Sequence, residues 1–228
     1  MAIIQNQVEN IKTSVLEMMH LTRKQVARSQ EALFTFNKDI SEEIIASEKK
    51  VNGYDLKIVK DCEQTLALYN PVADDLRLII SVLSINTFLE RIGDNAKSIG
   101  KFISDFDKPF ELEILNKLRF NEIFEHVLQM FDFVIESFET EDTEKAGKVF
   151  KIDKAIDEIN VAAIKVTADI IRSDMEHAEN YLRLLSIVQK LERSGDMLKN
   201  IAEESIFYVD AKVLKHNSKK KNKLISKD

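Results

Sequence analysis

Residues 89–94 read Leu-Glu-Arg-Ile-Gly-Asp, and residues 191–196 read Leu-Glu-Arg-Ser-Gly-Asp, 102 positions later. Other polar positions recur at nearly the same distance, as Glu48 does in Asp153, 105 positions later. Positions that recur in the same order and at nearly the same distance indicate an internal repeat of roughly 100 residues. The two halves of the chain should therefore fold in the same way.

Apolar residues extend the first of these stretches in both directions, at alternating spacings of three and four positions. They are Leu78, Val82, Ile85, Leu89, Ile92, Ala96, Ile99 and Ile103. This spacing lines one face of an α-helix. Six such segments are present in the chain, each about 30 residues and roughly 45 Å long. Three long helices joined by short turns must lie antiparallel. The sequence therefore predicts an all-α fold of two tandem antiparallel three-helix bundles.

The turn signals divide this fold into regions. Asp39 followed by Glu42 predicts a capping-box start for the second helix, and that helix should end before Pro71. The break at 105–109 separates the halves, so the predicted domains are 1–106 and 107–211, followed by a basic, disordered tail at 212–228. Five glycines and two prolines are too few for a turn-rich β fold or a Gly-rich nucleotide fold.

Charge is distributed unevenly along the chain. Residues 211–228 hold seven Lys and one Asp, a net charge of +6, and the whole chain carries −6, so residues 1–210 carry −12. An acidic body argues against nucleic acid as the main partner and favours cations or a basic protein surface. The lysine-rich tail is interpreted either as a solubilising end or as an arm for an acidic surface.

The single cysteine, Cys62, excludes a disulfide framework and a cysteine-based metal site. No apolar run reaches the ~18 residues of a membrane span, and the N-terminus lacks the pattern of a signal peptide. We therefore expect a soluble, cytoplasmic protein without direct membrane insertion, and a homodimer is left open.

Oxygen-bearing side chains recur in pairs four positions apart, at equivalent places in the two repeats. The pairs are Glu48 with Asn52, Glu90 with Asp94, Asp153 with Asp157, and Glu192 with Asp196. This spacing puts both members on one helix face. Divalent or trivalent cations such as Fe, Mn, Mg or Zn accept such ligands. The alternative is a solvated face on which Arg91 and Arg193 pair with the acids.

Two further patterns are open to more than one interpretation. Gly93 and Gly195 lie within long helices, which indicates either close helix packing or close approach of a ligand. Glu17-x-x-His20 resembles half of a di-iron carboxylate site, and Asp174-x-x-His177 is a poor second half. A carboxylate-bridged metal oxidoreductase or metal store is therefore the alternative function, and a purely structural helical protein is a third.

Three stretches resemble the PhoU family of bacterial phosphate regulators. Asn70–Arg77 is similar to its Pro-Val-Ala-x-Asp-Leu-Arg stretch, Leu89–Asp94 to its Leu-Glu-Arg-Ile-Gly-Asp signature, and Asn200–Glu203 to the segment after its second signature. The resemblance covers about residues 10–210. Asn52 stands where a ligand Asp is expected, and Ser194 replaces the Ile of the signature.

The resemblance implies two three-helix bundles and Glu/Asp-x-x-x-Asp metal motifs. It also implies a non-enzymatic regulator that represses phosphate-starvation signalling. Its implied partners are a sensor histidine kinase and the phosphate ABC transporter.

Overall fold

The computed structural model describes residues 2–214. Within that range the chain forms seven α-helices and no strand: α1 Ala2–Thr35, α2 Lys38–Tyr69, α3 Ala73–Asp105, α4 Leu112–Lys117, α5 Phe120–Thr140, α6 Thr143–Ser173 and α7 Ala178–Asp210. None of the helices in this range is long and apolar enough to cross a bilayer.

The helices form two bundles of the same design. α1, α2 and α3 pack against one another, and α5, α6 and α7 do the same. The bundles meet where α3 packs against α7 and α1 against α5. The predicted fold class, two tandem three-helix bundles from an internal repeat, is confirmed. The domain boundaries remain predictions, and most of the predicted tail, residues 215–228, lies outside the described residues.

Burial follows the apolar periodicity of the sequence. The eight stripe residues of α3, from Leu78 to Ile103, are each at most 1% exposed. In the second bundle, Phe120, Phe124, Phe131 and Phe138 along α5 are fully buried. These side chains belong to one continuous core that spans both bundles. Removal of this apolar surface from water is the main term that stabilises the long helices.

The start of α2 differs from the prediction. Asn37, not Asp39, is the N-cap, and its side-chain oxygen accepts hydrogen bonds from the backbone N–H groups of Asp39 (3.0 Å) and Ile40 (3.3 Å). Asn is as good a cap as Asp, so the helix begins one position earlier than Asp39. In the second repeat, Asp142 caps α6 in the same way, through the N–H of Glu144.

The fourth predicted segment also differs, because it is not one helix of about 30 residues. The six-residue α4 precedes α5, which has 21 residues. Arg119 separates them with a left-handed backbone (φ 56°). Leu115 and Leu118 at this break are buried, so tertiary packing holds the short helix against the bundle.

Candidate functional site

The pairs on α6 and α7 come together at the edge of the second bundle. We call Asp153, Asp157, Glu192 and Asp196 with Lys199 the second patch. The Nζ of Lys199 lies 2.8 Å from Oδ2 of Asp153 on α6 and 2.5 Å from Oδ1 of Asp196 on its own helix. Four carboxylates and one ammonium leave three negative charges on this patch.

Burial, and after it the repulsion between carboxylates, shifts the pKa values in the second patch. Burial raises the pKa of Glu192, and the charges of Asp196 and Asp157 raise it further. Burial also raises the pKa of Asp153, although the hydrogen bond from Lys199 opposes this effect. Burial disfavours the ammonium of Lys199, yet its hydrogen bonds to Asp153 and Asp196 outweigh that cost and raise its pKa. The patch therefore has a strong attraction for positive charge.

The first bundle carries the equivalent arrangement, with Glu48 and Asn52 on α2 and Glu90 and Asp94 on α3. We call these residues with Lys97 and Asp55 the first patch. Glu48 Oε1 accepts hydrogen bonds from Lys97 Nζ at 2.8 Å and from Asn52 Nδ2 at 2.9 Å. Contact with Lys97 and then with Asn52 lowers the pKa of Glu48.

Asp55 is a member of the first patch that the spacing of four did not select. After burial and the charge of Asp94, the charge of Asp55 contributes to the raised pKa of Glu90, which indicates that α2 presents Asp55 towards α3. The amide of Asn86 holds this carboxylate, with Nδ2 donating to Oδ1 at 2.6 Å. Position 55 aligns with Asn160, and Asn52 aligns with Asp157. The repeats have thus exchanged an Asp and an Asn one turn apart, a difference that comparison of the two halves could have found.

Lysines form the ion pairs of both patches, and not the arginines that the alternative interpretation named. Lys97 and Lys199 each lie three residues after the Asp of the repeated signature, 102 positions apart. Arg91 and Arg193 are exposed and act on Glu90 and Glu192 through charge at longer range. The signal for the lysines was present in the repeat, because one helical turn separates Asp from Lys in both halves.

The two glycines of the signature allow the helices that carry the patches to approach each other. A Cβ at Gly93 would lie 3.1 Å from Cγ1 of Val51, and a Cβ at Gly195 would lie 3.2 Å from Cδ1 of Ile156. Val51 and Ile156 are equivalent positions on α2 and α6. Close helix packing therefore accounts for both glycines, and it sets the distance between the paired carboxylates.

The candidate di-iron half-site does not lie in a bundle core. Glu17 and His20 are exposed on α1, and Glu17 accepts a hydrogen bond from the hydroxyl of Tyr54 at 3.2 Å. Asp174 is the C-cap of α6, and it accepts hydrogen bonds from the His177 ring and from the Tyr181 hydroxyl, at 2.9 and 2.6 Å. These contacts give the second pair a role in the α6–α7 connection.

The donor chemistry of the patches fits a hard cation, since both offer carboxylate oxygens and excess negative charge. As the side chains are placed, however, no three His, Cys, Asp or Glu groups within residues 2–214 converge to hold a metal ion. Three of these oxygens form ion pairs with Lys97 or Lys199.

The chain is similar to known proteins over both bundles. Accessory protein PhoU homolog 1 of the phosphate-specific transport system of Thermotoga maritima is 29% identical over 208 residues, covering 90% of this chain and 88% of the relative. The Escherichia coli K12 accessory protein PhoU is 26% identical over 210 residues, covering 92% and 86%. The crystal structure of PhoU from Pseudomonas aeruginosa superposes with a TM-score of 0.82 at 25% identity, covering 91% of this chain and 99% of that one.

Each internal repeat also corresponds to the domain that defines a protein family. A model described as the PhoU domain matches residues 15–103 and again residues 120–205. The first match covers most of α1 to α3, and the second covers α5 to most of α7. With one domain in each bundle and the signature in each match, this chain belongs to the PhoU domain family.

Proposed function

We propose that this protein is a non-enzymatic cytoplasmic regulator that represses phosphate-starvation signalling through contacts with the phosphate ABC transporter and a sensor histidine kinase. The match of both bundles to the PhoU domain carries the proposal. It is supported by relatives that are named accessory proteins of the phosphate-specific transport system. A regulator of this kind acts by binding one state of a partner more tightly than another.

The charge of the protein provides a physical basis for such contacts. Residues 1–210 carry −12, and the two patches concentrate part of that charge at the edges of the bundles. Docking onto a basic partner surface should weaken as salt rises through ~0.1–0.5 M, because exposed charges are screened beyond ~10 Å or less.

We further propose that the patches bind divalent or trivalent metal ions, with Fe, Mn, Mg and Zn as the candidates. In the second patch, Asp153, Asp157, Glu192 and Asp196 would supply the oxygens. In the first patch, Glu48, Glu90, Asp94 and Asp55 would do so, with Asn52 adding a neutral carbonyl oxygen. A bound cation would neutralise the local charge and so change which partner docks. The exposed position of Glu17 and His20 removes support from the oxidoreductase alternative.

A deletion strain grown in high phosphate tests the regulatory proposal. Loss of the protein should switch on phosphate-uptake genes although phosphate is abundant, and the wild-type gene should restore repression. Unchanged expression of these genes on deletion would reject the regulator.

Complementation by Glu192→Ala/Asp196→Ala tests the role of metal. The matched control is Glu125→Ala/Glu139→Ala, which removes two exposed carboxylates from α5, away from the patches. If metal contributes, the first double variant should bind less metal in elemental analysis of untagged protein and repress poorly, while the control does neither. Full complementation by the patch variant would keep the regulator and remove metal from its mechanism.

A further inference from the structure

Each patch contains a lysine that joins the two helices of its bundle. Lys199 on α7 contacts Asp153 on α6, and Lys97 on α3 contacts Glu48 on α2. The lysine side chains are 23% and 27% exposed, and their acceptors on the other helix are 15% exposed or less. The same contact thus occurs twice, at equivalent positions and at similar depth.

A metal ion that joins the two helices of a patch would draw on carboxylates that these lysines already contact. Hard cations bind carboxylate oxygens at about 2.0–2.6 Å, and Lys199 Nζ lies 2.5 and 2.8 Å from two of the second-patch oxygens. An ammonium and a divalent cation compete for these carboxylates, because like charges repel and a metal placed on the contacted side of an oxygen would overlap the ammonium. Binding of metal at the two oxygens that Lys199 contacts therefore requires that Lys199 move out.

We infer that Lys97 and Lys199 are built-in counter-cations, which hold the patches closed in the absence of metal and compete with metal for the same carboxylates. The competition between lysine and metal rests on the metal binding that is proposed above. Competition should be stronger in the second patch, because Lys199 contacts two carboxylates there. Lys97 has one ion pair, with Glu48.

Titration of metal-free protein with Mn²⁺, followed by electron paramagnetic resonance of the free ion, tests the competition. Lys199→Met keeps the length and apolar part of the side chain and removes the charge. We expect it to bind Mn²⁺ about 10-fold more tightly than wild type or better, and Lys97→Met to show a smaller gain. Lys165→Met, an exposed lysine of α6 away from the patch, is the control and should match wild type.

Thermal unfolding in the presence of chelator tests whether the lysines stabilise the patches when metal is absent. Without Lys199 the four carboxylates repel one another, so the Tm of Lys199→Met should fall by about 2–8 °C and be restored by Mn²⁺. Lys199→Arg retains the charge and should lose less. If Lys199→Met does not fold, Lys97→Met provides the same two measurements in the first patch.

The outcomes separate this inference from the proposed metal binding. Mn²⁺ binding by the lysine variants but not by wild type would support the counter-cations and reject a metal-loaded wild-type protein. Equal binding by wild type, Lys199→Met and Lys97→Met would overturn the inference and leave metal binding intact. Absence of binding in all proteins would overturn both.

Discussion

Cys62 is the only cysteine of the chain and lies on the buried face of α2, with no solvent exposure. Burial, followed by the charges of Asp61 and Glu63, raises the pKa of its thiol to about 12. The reactive species of cysteine is the thiolate. At neutral pH this thiol is therefore both protonated and inaccessible.

We predict that native Cys62 resists modification by a thiol-specific disulfide reagent at pH 7–8. Its labelling should be slower than that of urea-unfolded protein by about two orders of magnitude or more, because it requires opening of the fold. The absorbance of the released thiolate measures both rates. Labelling of the native protein at the rate of the unfolded chain would contradict the burial of α2.

The connection between α6 and α7 depends on Asp174, which accepts the hydroxyl hydrogen bond of Tyr181. That bond, together with the one from His177, lowers the pKa of Asp174. A carboxylate with a lowered pKa stabilises the fold above the ordinary Asp value near 3.8, and this contribution disappears as pH falls through the lowered pKa.

We predict that Tyr181→Phe lowers the free energy of unfolding by about 0.5–2 kcal/mol at pH 7. The difference from wild type should shrink as pH falls below about 4, because protonated Asp174 is a weaker acceptor. Urea unfolding followed by circular dichroism at both pH values measures this. Tyr54→Phe, at the 3.2 Å bond to the exposed Glu17, is the control and should cost less. A Tyr181 difference that is independent of pH would contradict the role of Asp174.

Gly100 and Gly53 differ in how closely a neighbouring helix approaches them. A Cβ at Gly100 on α3 would lie 3.2 Å from the backbone oxygen of Ser41 and 3.5 Å from Cβ of Ile44, atoms that cannot move without shifting α2. Gly53 on α2 has no heavy atom within 4 Å of such a Cβ. Alanine at position 53 therefore tests helix propensity alone, whereas alanine at position 100 also tests overpacking against α2.

We predict that Gly53→Ala stabilises the protein by about 0.5–1 kcal/mol through helix propensity. Gly100→Ala should instead destabilise it, leaving it about 1–3 kcal/mol below Gly53→Ala, because overpacking exceeds the gain in propensity. Urea denaturation measures both variants. Equal stability of the two alanine variants would show that α2 and α3 do not approach as closely as the structure places them.

The two bundles form one folding unit, since their buried side chains make a single core. Polar contacts also cross the interface. The Arg23 guanidinium donates to both oxygens of Asp132, at 2.6 and 2.9 Å, and Asn95 Nδ2 donates to Oγ of buried Ser194 at 3.2 Å. Exposed pairs such as Arg23 with Asp132 contribute only about 0.2–1 kcal/mol, so the shared core is the main reason for cooperativity.

We predict that the whole molecule unfolds in one transition. Labelling of Cys62 reports on the first bundle, while far-ultraviolet circular dichroism reports on helices of both bundles. The two probes should give the same urea midpoint, as two-state unfolding requires. Loss of part of the helix signal at a urea concentration where Cys62 stays protected would show that the second bundle unfolds separately.

The sequence alone predicts the repeat, the fold class, the family and five of the six long helices, and the break between α4 and α5 is the exception. Apolar spacing is a local property, and burial of the α3 stripe follows it residue by residue. The repeated signature then identified where the acids lie on each helix. These features can be predicted without a structure because they depend only on positions along one helix and on comparison of the two halves.

Tertiary structure decided which side chains meet across helices. Asp55 in the first patch and the lysine contacts of both patches were not selected by the spacing of the acids. Ser194, which stands where the first signature has Ile92, is buried and accepts the hydrogen bond of Asn95 from the other bundle. The rotation and distance of neighbouring helices set these contacts. Core packing fixes both through contacts such as Gly93 with Val51, and no single helix contains that information.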